Sequence, residues 1–250
     1  MKTIQKLFME SSGKVIYKWH HYLPIYESLF KKYIGKKIKV LEIGVLRGGS
    51  LKLWKEYFGA DAQIYGIDID PTAKKYEADR IKIFIGDQGD KNFMAGVAEE
   101  VGGFDIVIDD GAHTNFMVMT SLEALYASTR HLYIVEDTHA LYWWWGLYSF
   151  LKDIKYASSG KSSISEACFR VAEVLVRAVT RKLSFMEFVM RKQNALTTDW
   201  HGFTSKSGFS NSQNKAKVSP CVLMTNGIRV YDSLVVFEKE EQSRRVVEFR

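Results

Sequence analysis

The chain has 250 residues, of which 46% are hydrophobic and 26% are charged. This composition is typical of a folded globular protein with one sizeable core, and it excludes disorder of the whole chain. The formal net charge of +6 favours anionic partners, although the charge by itself does not establish nucleic-acid binding. The chain contains two cysteines, Cys168 and Cys221, which argues against a disulfide framework and fits a reducing compartment.

The N-terminal residues show neither a long apolar run nor a small-residue cleavage site, so a signal peptide is not predicted. No run of about 18 or more apolar residues predicts a membrane span. We therefore expect a cytoplasmic protein without a membrane-spanning segment.

The first 35 residues are predicted to be helical. Apolar residues recur at spacings of three and four between Tyr22 and Tyr33, and Gly35 is expected to end the helix. A short buried strand follows at 39–43. After a turn at 44–49, the next helix is predicted at 50–57.

Further strands are predicted at 63–68, 81–85, 104–108 and 132–135, with a helix at 115–128. Strands that alternate with helices indicate a parallel sheet covered on both faces.

Near the C-terminus, residues 229–231 and 234–238 are predicted as paired strands with a turn at 232–233. The predicted fold is therefore α/β: a Rossmann-like, doubly wound, mostly parallel seven-stranded sheet with an antiparallel C-terminal strand. An N-terminal helix and a helical insertion complete it.

We expect a single domain over residues 1–250, organised in four parts. An N-terminal helical segment at 1–35 precedes the core at 36–154. An amphipathic helical insertion and lid follows at 155–217, and its last part is rich in glycine, serine, asparagine and lysine. C-terminal strands occupy 218–250.

Acidic side chains follow or end all five of the first predicted strands. Ligands of open α/β sheets bind at the carboxyl ends of the strands, near the point where strand order reverses. A solvated turn or a helix cap explains one such acid, but not five sets. The acids, in strand order, are Glu42, Asp68, Asp87, Asp109 with Asp110, and Glu136 with Asp137.

The turn after the first strand differs from a dinucleotide-binding loop. The motif G-x-G-x-x-G needs a second glycine where this chain has Leu46, so a pyrophosphate lacks its close approach. An E-x-G-x-x-x-G turn suits a cofactor without phosphate whose amino group meets a carboxylate, such as S-adenosylmethionine (SAM). Asp68, 24 residues after Gly44, is placed to accept both ribose hydroxyls.

These motifs resemble the class I SAM-dependent methyltransferases. Within that class they resemble a metal-dependent sugar O-methyltransferase group, which includes macrolide and rhamnosyl O-methyltransferases and cephalosporin hydroxylase-like proteins. The resemblance spans residues 18 to 239 and is weak over 140–228. The matching pieces are KWHHYLPIYESLF at 18–30, VLEIGVLRGGSLKLWKEYF at 40–58, YGIDIDP at 65–71, IGDQGD at 85–90, FDIVIDDGAH at 104–113, YIVEDTH at 133–139 and RVYDSLVVFEK at 229–239.

The resemblance implies a magnesium ion, or another divalent cation, held by Asp110, Glu136 and Asp137. Such an ion would orient neighbouring sugar hydroxyls and lower the pKa of the one attacked. His113 matches the general base. Helix capping is the alternative interpretation of Glu136 and Asp137.

The resemblance also implies a set of SAM contacts at the strand ends. Asp109 is the least specific of them, since it is placed either at the methionine end or behind the residues that touch the cofactor. The set is Glu42, Gly44, Ser50, Asp68, Asp87, Gln88 and Asp109.

Three features have two interpretations each. His21, Tyr22 and Tyr26 either close over the cofactor or belong to the core. His139 either touches the acceptor or orders the metal ligands. The aromatic run 143–145 either stacks on the acceptor or packs against the insertion.

We therefore expect a SAM- and Mg²⁺-dependent O-methyltransferase that acts on a hydroxyl of a saccharide or glycosylated metabolite and forms a homo-oligomer. The alternatives are a cephalosporin hydroxylase-like protein and a non-catalytic SAM-binding protein. No 2-His-1-carboxylate iron pattern supports the first, and the acids together with His113 argue against the second. The chain has no N-P-P-Y-type motif for a flipped base, which argues against nucleic-acid methylation.

Overall fold

The computed structural model describes residues 2–11, 16–141, 189, 225 and 227–239. Most of the predicted insertion and lid at 155–217, both cysteines and the aromatic run 143–145 lie outside the described residues. Among the helices of the described ranges, none combines the length and the apolar character that crossing a lipid bilayer requires.

The N-terminal segment contains two helices where the sequence predicted one. Helix α1 spans Ile4–Glu10 and helix α2 spans Tyr22–Phe30. A 3₁₀ turn at Lys31–Tyr33, rather than the helix itself, leads to Gly35. Residues 16–19, between the helices, are not helical. The prediction of continuous helix is wrong here because this stretch runs beside the strand ends, where Lys18 meets three carboxylates.

Seven strands form one sheet in the order β3-β2-β1-β4-β5-β7-β6. Strands β1 to β5 are parallel, and β7 is antiparallel to both β5 and β6. The predicted sheet with its antiparallel C-terminal strand is thus confirmed. The strands are β1 Lys39–Ile43, β2 Gln63–Asp68, β3 Ile81–Ile85, β4 Phe104–Asp109, β5 Thr129–Val135, β6 Gly227–Tyr231 and β7 Leu234–Glu238.

Three helices connect the parallel strands: α3 Gly49–Phe58, α4 Lys91–Val101 and α5 Asn115–Leu125. Helix α4 was not predicted; the Asp90 carboxylate caps it by accepting the amide hydrogens of Asn92 and Phe93. Strand β5 begins earlier than predicted. Its first residues are polar, yet Thr129 pairs with Phe104 of β4, so sheet pairing extends beyond the apolar run.

Apolar side chains cover both faces of the sheet. On one face, α1, α2 and α3 pack through residues such as Tyr26 and Trp54. On the other face, α4 and α5 pack through residues such as Met94 and Leu122. Because both faces are covered, open space for a ligand lies at the strand ends rather than on the sheet.

The loops after β1 and β4 are hydrogen-bonded to the ends of neighbouring strands. The amide of Gly44 donates to the carbonyl of Ile67 at 2.8 Å, and the amide of Asp110 donates to the carbonyl of Ile43 at 3.0 Å. Strand order reverses between β1 and β4, which is where ligands bind in such sheets.

Candidate functional site

A cavity of about 580 Å³ opens at this edge of the sheet. Its wall includes the loops after β1, β3, β4 and β5, the end of β2, the start of α3, Met117 of α5 and residues 16–18. Of the predicted site residues, Glu42, Asp109 and Glu136 do not line it. Those that do are Gly44, Ser50, Asp68, Asp87, Gln88, Asp110, His113 and Asp137.

The turn after β1 requires glycine at residue 44. Gly44 has a φ of +91°, and a Cβ there would lie 2.2 Å from the carbonyl oxygen of Asp110. The Asp68 carboxylate fixes the same turn, since its Oδ2 accepts the amide hydrogens of Val45 at 2.9 Å and Leu46 at 3.0 Å. Asp68 therefore both lines the cavity and orders the loop beside it.

Glu42 is fully buried and does not line the cavity. Its Oε2 accepts the Ser50 hydroxyl at 2.5 Å, and its Oε1 lies 3.0 Å from the Lys18 ammonium. Burial raises the pKa of Glu42, and Lys18 acts in the opposite direction. The predicted contact of Glu42 with a cofactor amino group stays a prediction.

A buried polar network supports the cavity wall at Gln88. The Gln88 amide donates to Oδ1 of Asp109 at 2.7 Å, and its Oε1 accepts the amide hydrogen of Ala112 at 3.0 Å. The Ser121 hydroxyl donates to Oδ2 of Asp109 at 2.5 Å. Burial raises the pKa of Asp109 to about 6, although these hydrogen bonds act in the opposite direction. Asp109 thus holds Gln88 from behind the wall.

The three predicted metal ligands lie together, but in two overlapping groups. Ligand atoms of Asp110, His113 and Asp137 all lie within 4.8 Å of one another, and so do those of Glu42, Asp110 and Glu136. Asp110 belongs to both groups. It therefore connects the buried acids to the acids that face the cavity.

His113 lines the cavity next to Asp110, the residue that both groups of candidate ligands share. Its Nε2 is 3.6 Å from Oδ1 of Asp110 and 3.8 Å from Oδ2 of Asp137. Both His113 and Asp137 have a φ of 51°, a left-handed conformation that costs free energy for residues with a side chain. Such strain persists where the surrounding contacts hold the backbone in place.

Two tyrosines of α2 hold the acids after β5. The Tyr22 hydroxyl lies 2.9 Å from Oδ1 of Asp137 and 2.8 Å from the carbonyl oxygen of Ser233. The Tyr26 hydroxyl donates to Oε1 of Glu136. Both rings are buried in the core, and neither lines the cavity. Glu136 is thus held by α2 as well as by its own loop.

The same edge of the sheet carries a second recess of about 410 Å³, lined by residues 16–20 together with Glu136 and Asp137. The Trp19 indole donates to Oδ1 of Asp137 at 3.0 Å and meets the ring of His139 edge-on, with centroids 5.9 Å apart. His139 Nδ1 is buried without a hydrogen-bond partner among the described residues. The Nδ1 atom of His139 therefore makes no hydrogen bond to the metal-ligand candidates.

The sequence of this chain is similar to those of known enzymes. No model of a protein family matches the chain. Over 133 residues it is 42% identical to mycinamicin VI 2''-O-methyltransferase of Micromonospora griseorubida, an alignment of 50% of this chain and 33% of that enzyme. Over 133 residues it is 38% identical to 8-demethyl-8-(2-methoxy-alpha-L-rhamnosyl)-tetracenomycin-C 3'-O-methyltransferase of Streptomyces olivaceus, covering 50% of this chain and 34% of that enzyme.

A solved structure also matches this chain, over most of the length of the chain. MycE methyltransferase from the mycinamycin biosynthetic pathway, in complex with Mg and SAH, superposes with a TM-score of 0.70 at 26% identity. The match covers 96% of this chain and 55% of MycE. The chain is thus similar to sugar O-methyltransferases over part of their length. It spans about one third of the length of the curated relatives and about half of MycE.

Lys18 is a residue of this candidate site that the sequence analysis missed. Its ammonium lies 2.5 Å from Oδ2 of Asp110, 2.5 Å from Oε1 of Glu136 and 3.0 Å from Oε1 of Glu42. Burial opposes the charge of Lys18, but the three carboxylates outweigh it and hold the pKa of Lys18 well above its usual value. The sequence signal was weak, because a single lysine before an amphipathic helix is usually exposed.

The acids at the strand ends of this chain fit a divalent cation. Carboxylate oxygens are the donors that Mg²⁺ prefers, and two or three of them leave positions for water or substrate. Burial, and then the neighbouring Asp110 carboxylate, raises the pKa of Glu136 well above its usual value despite Lys18.

Proposed function

We propose that this chain is a SAM-dependent, Mg²⁺-dependent O-methyltransferase that acts on a hydroxyl of a sugar or glycosylated small molecule. The observation that carries the proposal is the position of His113 at the cavity wall, with its Nε2 at 3.6 Å from Asp110 and 3.8 Å from Asp137. A base beside acids that suit a metal is the arrangement that deprotonation of a hydroxyl needs.

The cavity suits the cofactor in size and lining. Its volume of about 580 Å³ lies within the range of small-molecule sites. We assign the ribose hydroxyls to Asp68, whose Oδ1 accepts one amide hydrogen, from Asp70 at 2.9 Å, and keeps further acceptor capacity. The exposed apolar side chains of Leu46 and Ile69 line the same cavity and offer flat contact to the adenine. Gly44, Ser50, Asp87 and Gln88 complete the proposed cofactor wall.

Asp110, Glu136 and Asp137 are the proposed metal ligands. When bound, SAM supplies an activated methyl group, and the metal supplies positive charge beside the acceptor hydroxyl. His113 would accept the proton of that hydroxyl, which would make the oxygen a better acceptor of the methyl group. Tyr22 and Tyr26 keep the acids after β5 in place, and the cavity wall keeps the reacting groups aligned.

The recess beside the acids is the proposed acceptor site. It shares Lys18 and Asp137 with the main cavity, so an acceptor there would reach the same acids. Trp19 presents a half-exposed indole held by Asp137, and an aromatic face of this kind suits the apolar face of a sugar ring. The cytoplasmic location and the homo-oligomeric state are further proposals that rest on the sequence.

Thermal unfolding with added ligands tests the proposal directly. The protein is melted with S-adenosylhomocysteine, with NADH or with neither, each in Mg²⁺ or in EDTA. A ligand at about 100 times its dissociation constant adds roughly 2.7 kcal/mol of stability. We expect a shift with S-adenosylhomocysteine, a further shift with Mg²⁺, and none with NADH.

The other outcomes separate the parts of the proposal. A shift with S-adenosylhomocysteine that Mg²⁺ does not change would retain the methyltransferase and remove the metal. The absence of any shift with S-adenosylhomocysteine would refute the proposed activity. If S-adenosylhomocysteine does shift the melt, a mass gain of about 14 Da on a glycosylated macrolide, which is the replacement of H by CH₃, would confirm methyl transfer.

A further inference from the structure

The Lys18 ammonium is located where a bridging cation between Asp110 and Glu136 would lie. It is 2.5 Å from one oxygen of each, and the Lys18 side chain is 1% exposed. Lys18 belongs neither to a helix nor to a strand, since it lies in the stretch between α1 and α2. The backbone that carries Lys18 is therefore not fixed by a helix or a strand, and the long side chain reaches the acids from a loop.

Charge explains why a cation is needed there. Glu42 and Glu136 are 0% and 2% exposed, and a ligand atom of Asp110 lies within 4.8 Å of a ligand atom of each. Buried carboxylates without a compensating charge are strongly destabilising, whereas one partly satisfied by an ammonium is tolerated. The Lys18 ammonium lies at 3.0 Å or less from all three acids.

The same contacts disfavour a metal on these two oxygens while the ammonium stays in place. Oδ2 of Asp110 and Oε1 of Glu136 each already contact the ammonium at hydrogen-bond distance. A divalent ion bound to these two oxygens would face the positive ammonium at close range, and the two charges would repel. Glu42, at 3.0 Å, gives Lys18 a carboxylate to keep after leaving the other two.

We propose that Lys18 is the resident cation of the acid cluster and that it competes with the divalent metal for Asp110 and Glu136. Metal loading moves the ammonium away from these two acids and leaves it paired with Glu42. Lys18 therefore lowers the metal affinity of the site while it stabilises the metal-free protein. This inference rests on the metal site of the proposed function.

The test compares Lys18→Met and Lys18→Arg with wild type in the full chain. Mn²⁺ binding is measured by isothermal titration calorimetry in the presence of S-adenosylhomocysteine, and the melting temperature is measured in EDTA and in Mn²⁺. We expect Lys18→Met to bind Mn²⁺ about tenfold tighter or more, the scale on which neighbours of metal ligands act. We also expect it to melt lower than wild type in EDTA and to regain most of that loss in Mn²⁺.

The controls separate competition from a general loss of packing. Lys18→Arg keeps the charge, so its Mn²⁺ affinity should stay closer to that of wild type than the affinity of Lys18→Met does. Lys239→Met removes an ammonium that donates to the carbonyls of Tyr126 and Thr129 at the other end of β5. That variant should melt lower in EDTA and in Mn²⁺ alike, with unchanged Mn²⁺ affinity.

Each outcome decides between the two proposals. Mn²⁺ affinity that is unchanged or weaker in Lys18→Met, with binding intact in wild type, would overturn the role of Lys18 alone. Absence of Mn²⁺ binding in wild type and in both Lys18 variants would refute the metal site of the proposed function.

If Lys18→Met does not fold even in Mn²⁺, wild type decides the question. Reductive methylation of Lys18, followed by mass spectrometry, is compared with and without Mn²⁺, with Lys239 as the reference amine. Faster methylation of Lys18 in Mn²⁺ would support its displacement. An unchanged rate would overturn it.

Discussion

Gly44 and Asp110 pack so closely that a Cβ on residue 44 would lie 2.2 Å from the carbonyl oxygen of Asp110. The loop after β1 and the loop after β4 therefore contact each other backbone to backbone. One loop carries the proposed cofactor wall and the other carries a proposed metal ligand and the proposed base. A change at Gly44 is thus expected to disturb both halves of the site.

Gly44→Ala should destabilise the protein by about 1–3 kcal/mol or more, because the φ of +91° is strained for alanine and its Cβ meets backbone. Urea unfolding measures the loss. Gly96→Ala is the matched control: it lies within α4 with no atom within 4 Å of the new Cβ, so alanine should stabilise by about 0.5–1 kcal/mol. Equal stability of the two variants would contradict the close packing of the loops.

Tyr22→Phe should weaken metal binding by about 10- to 100-fold, because it removes the hydroxyl that lies 2.9 Å from Oδ1 of Asp137. Titration calorimetry with Mn²⁺ measures the change. Tyr57→Phe removes a hydroxyl that donates to Glu27 at 3.1 Å, away from the acids, and should leave metal affinity unaltered. The same weakening in both variants would point to a general packing defect.

His113→Ala should reduce methyl transfer to an accepted glycosylated substrate by about 10²- to 10⁴-fold, the usual contribution of a general base. Binding of S-adenosylhomocysteine should change little, which calorimetry would check. His131→Ala is the control, since that ring stacks on Tyr33 at the opposite end of β5. Full turnover in His113→Ala would exclude His113 as the base.

Asp68→Ala should lose SAM affinity while it retains metal binding, because Asp68 lines the cavity at the end of β2 and is absent from both groups of metal-ligand candidates. It should also lower stability, since its Oδ2 holds the amides of Val45 and Leu46. Asp70→Ala, which removes a cap on Thr72, should cost about 1 kcal/mol without affecting SAM affinity. Comparable loss of SAM affinity in both variants would argue against a ribose contact by Asp68.

The strand ends were predictable because their signals are local. Alternating strands and helices indicated a parallel sheet, and acids after consecutive strands predicted that Asp68, Asp110 and Asp137 would meet at one edge. Leu46, in place of a glycine, argued against a pyrophosphate site from a single position. These inferences needed the periodicity of neighbouring residues and the general geometry of open sheets.

The resemblance to known enzymes supplied what local patterns did not. The assignment of roles to His113 and to the acids after β5 came from matched motifs and not from their spacing. The structure adds the positions of these side chains, including the division of the acids into two groups that share Asp110. Their catalytic and binding roles stay predictions.

By itself, the sequence determined the sheet, its strand-end acids and the glycine turn, since each depends on residues close together in the chain. The tertiary structure decided which distant side chains complete the site. Lys18 meets Asp110 across 92 residues and Glu136 across 118, and Tyr22 meets Asp137 across 115. Such contacts leave no periodic pattern in the sequence. They arise only when α2 packs on the sheet and the residues that precede α2 come to lie over the ends of β1, β4 and β5.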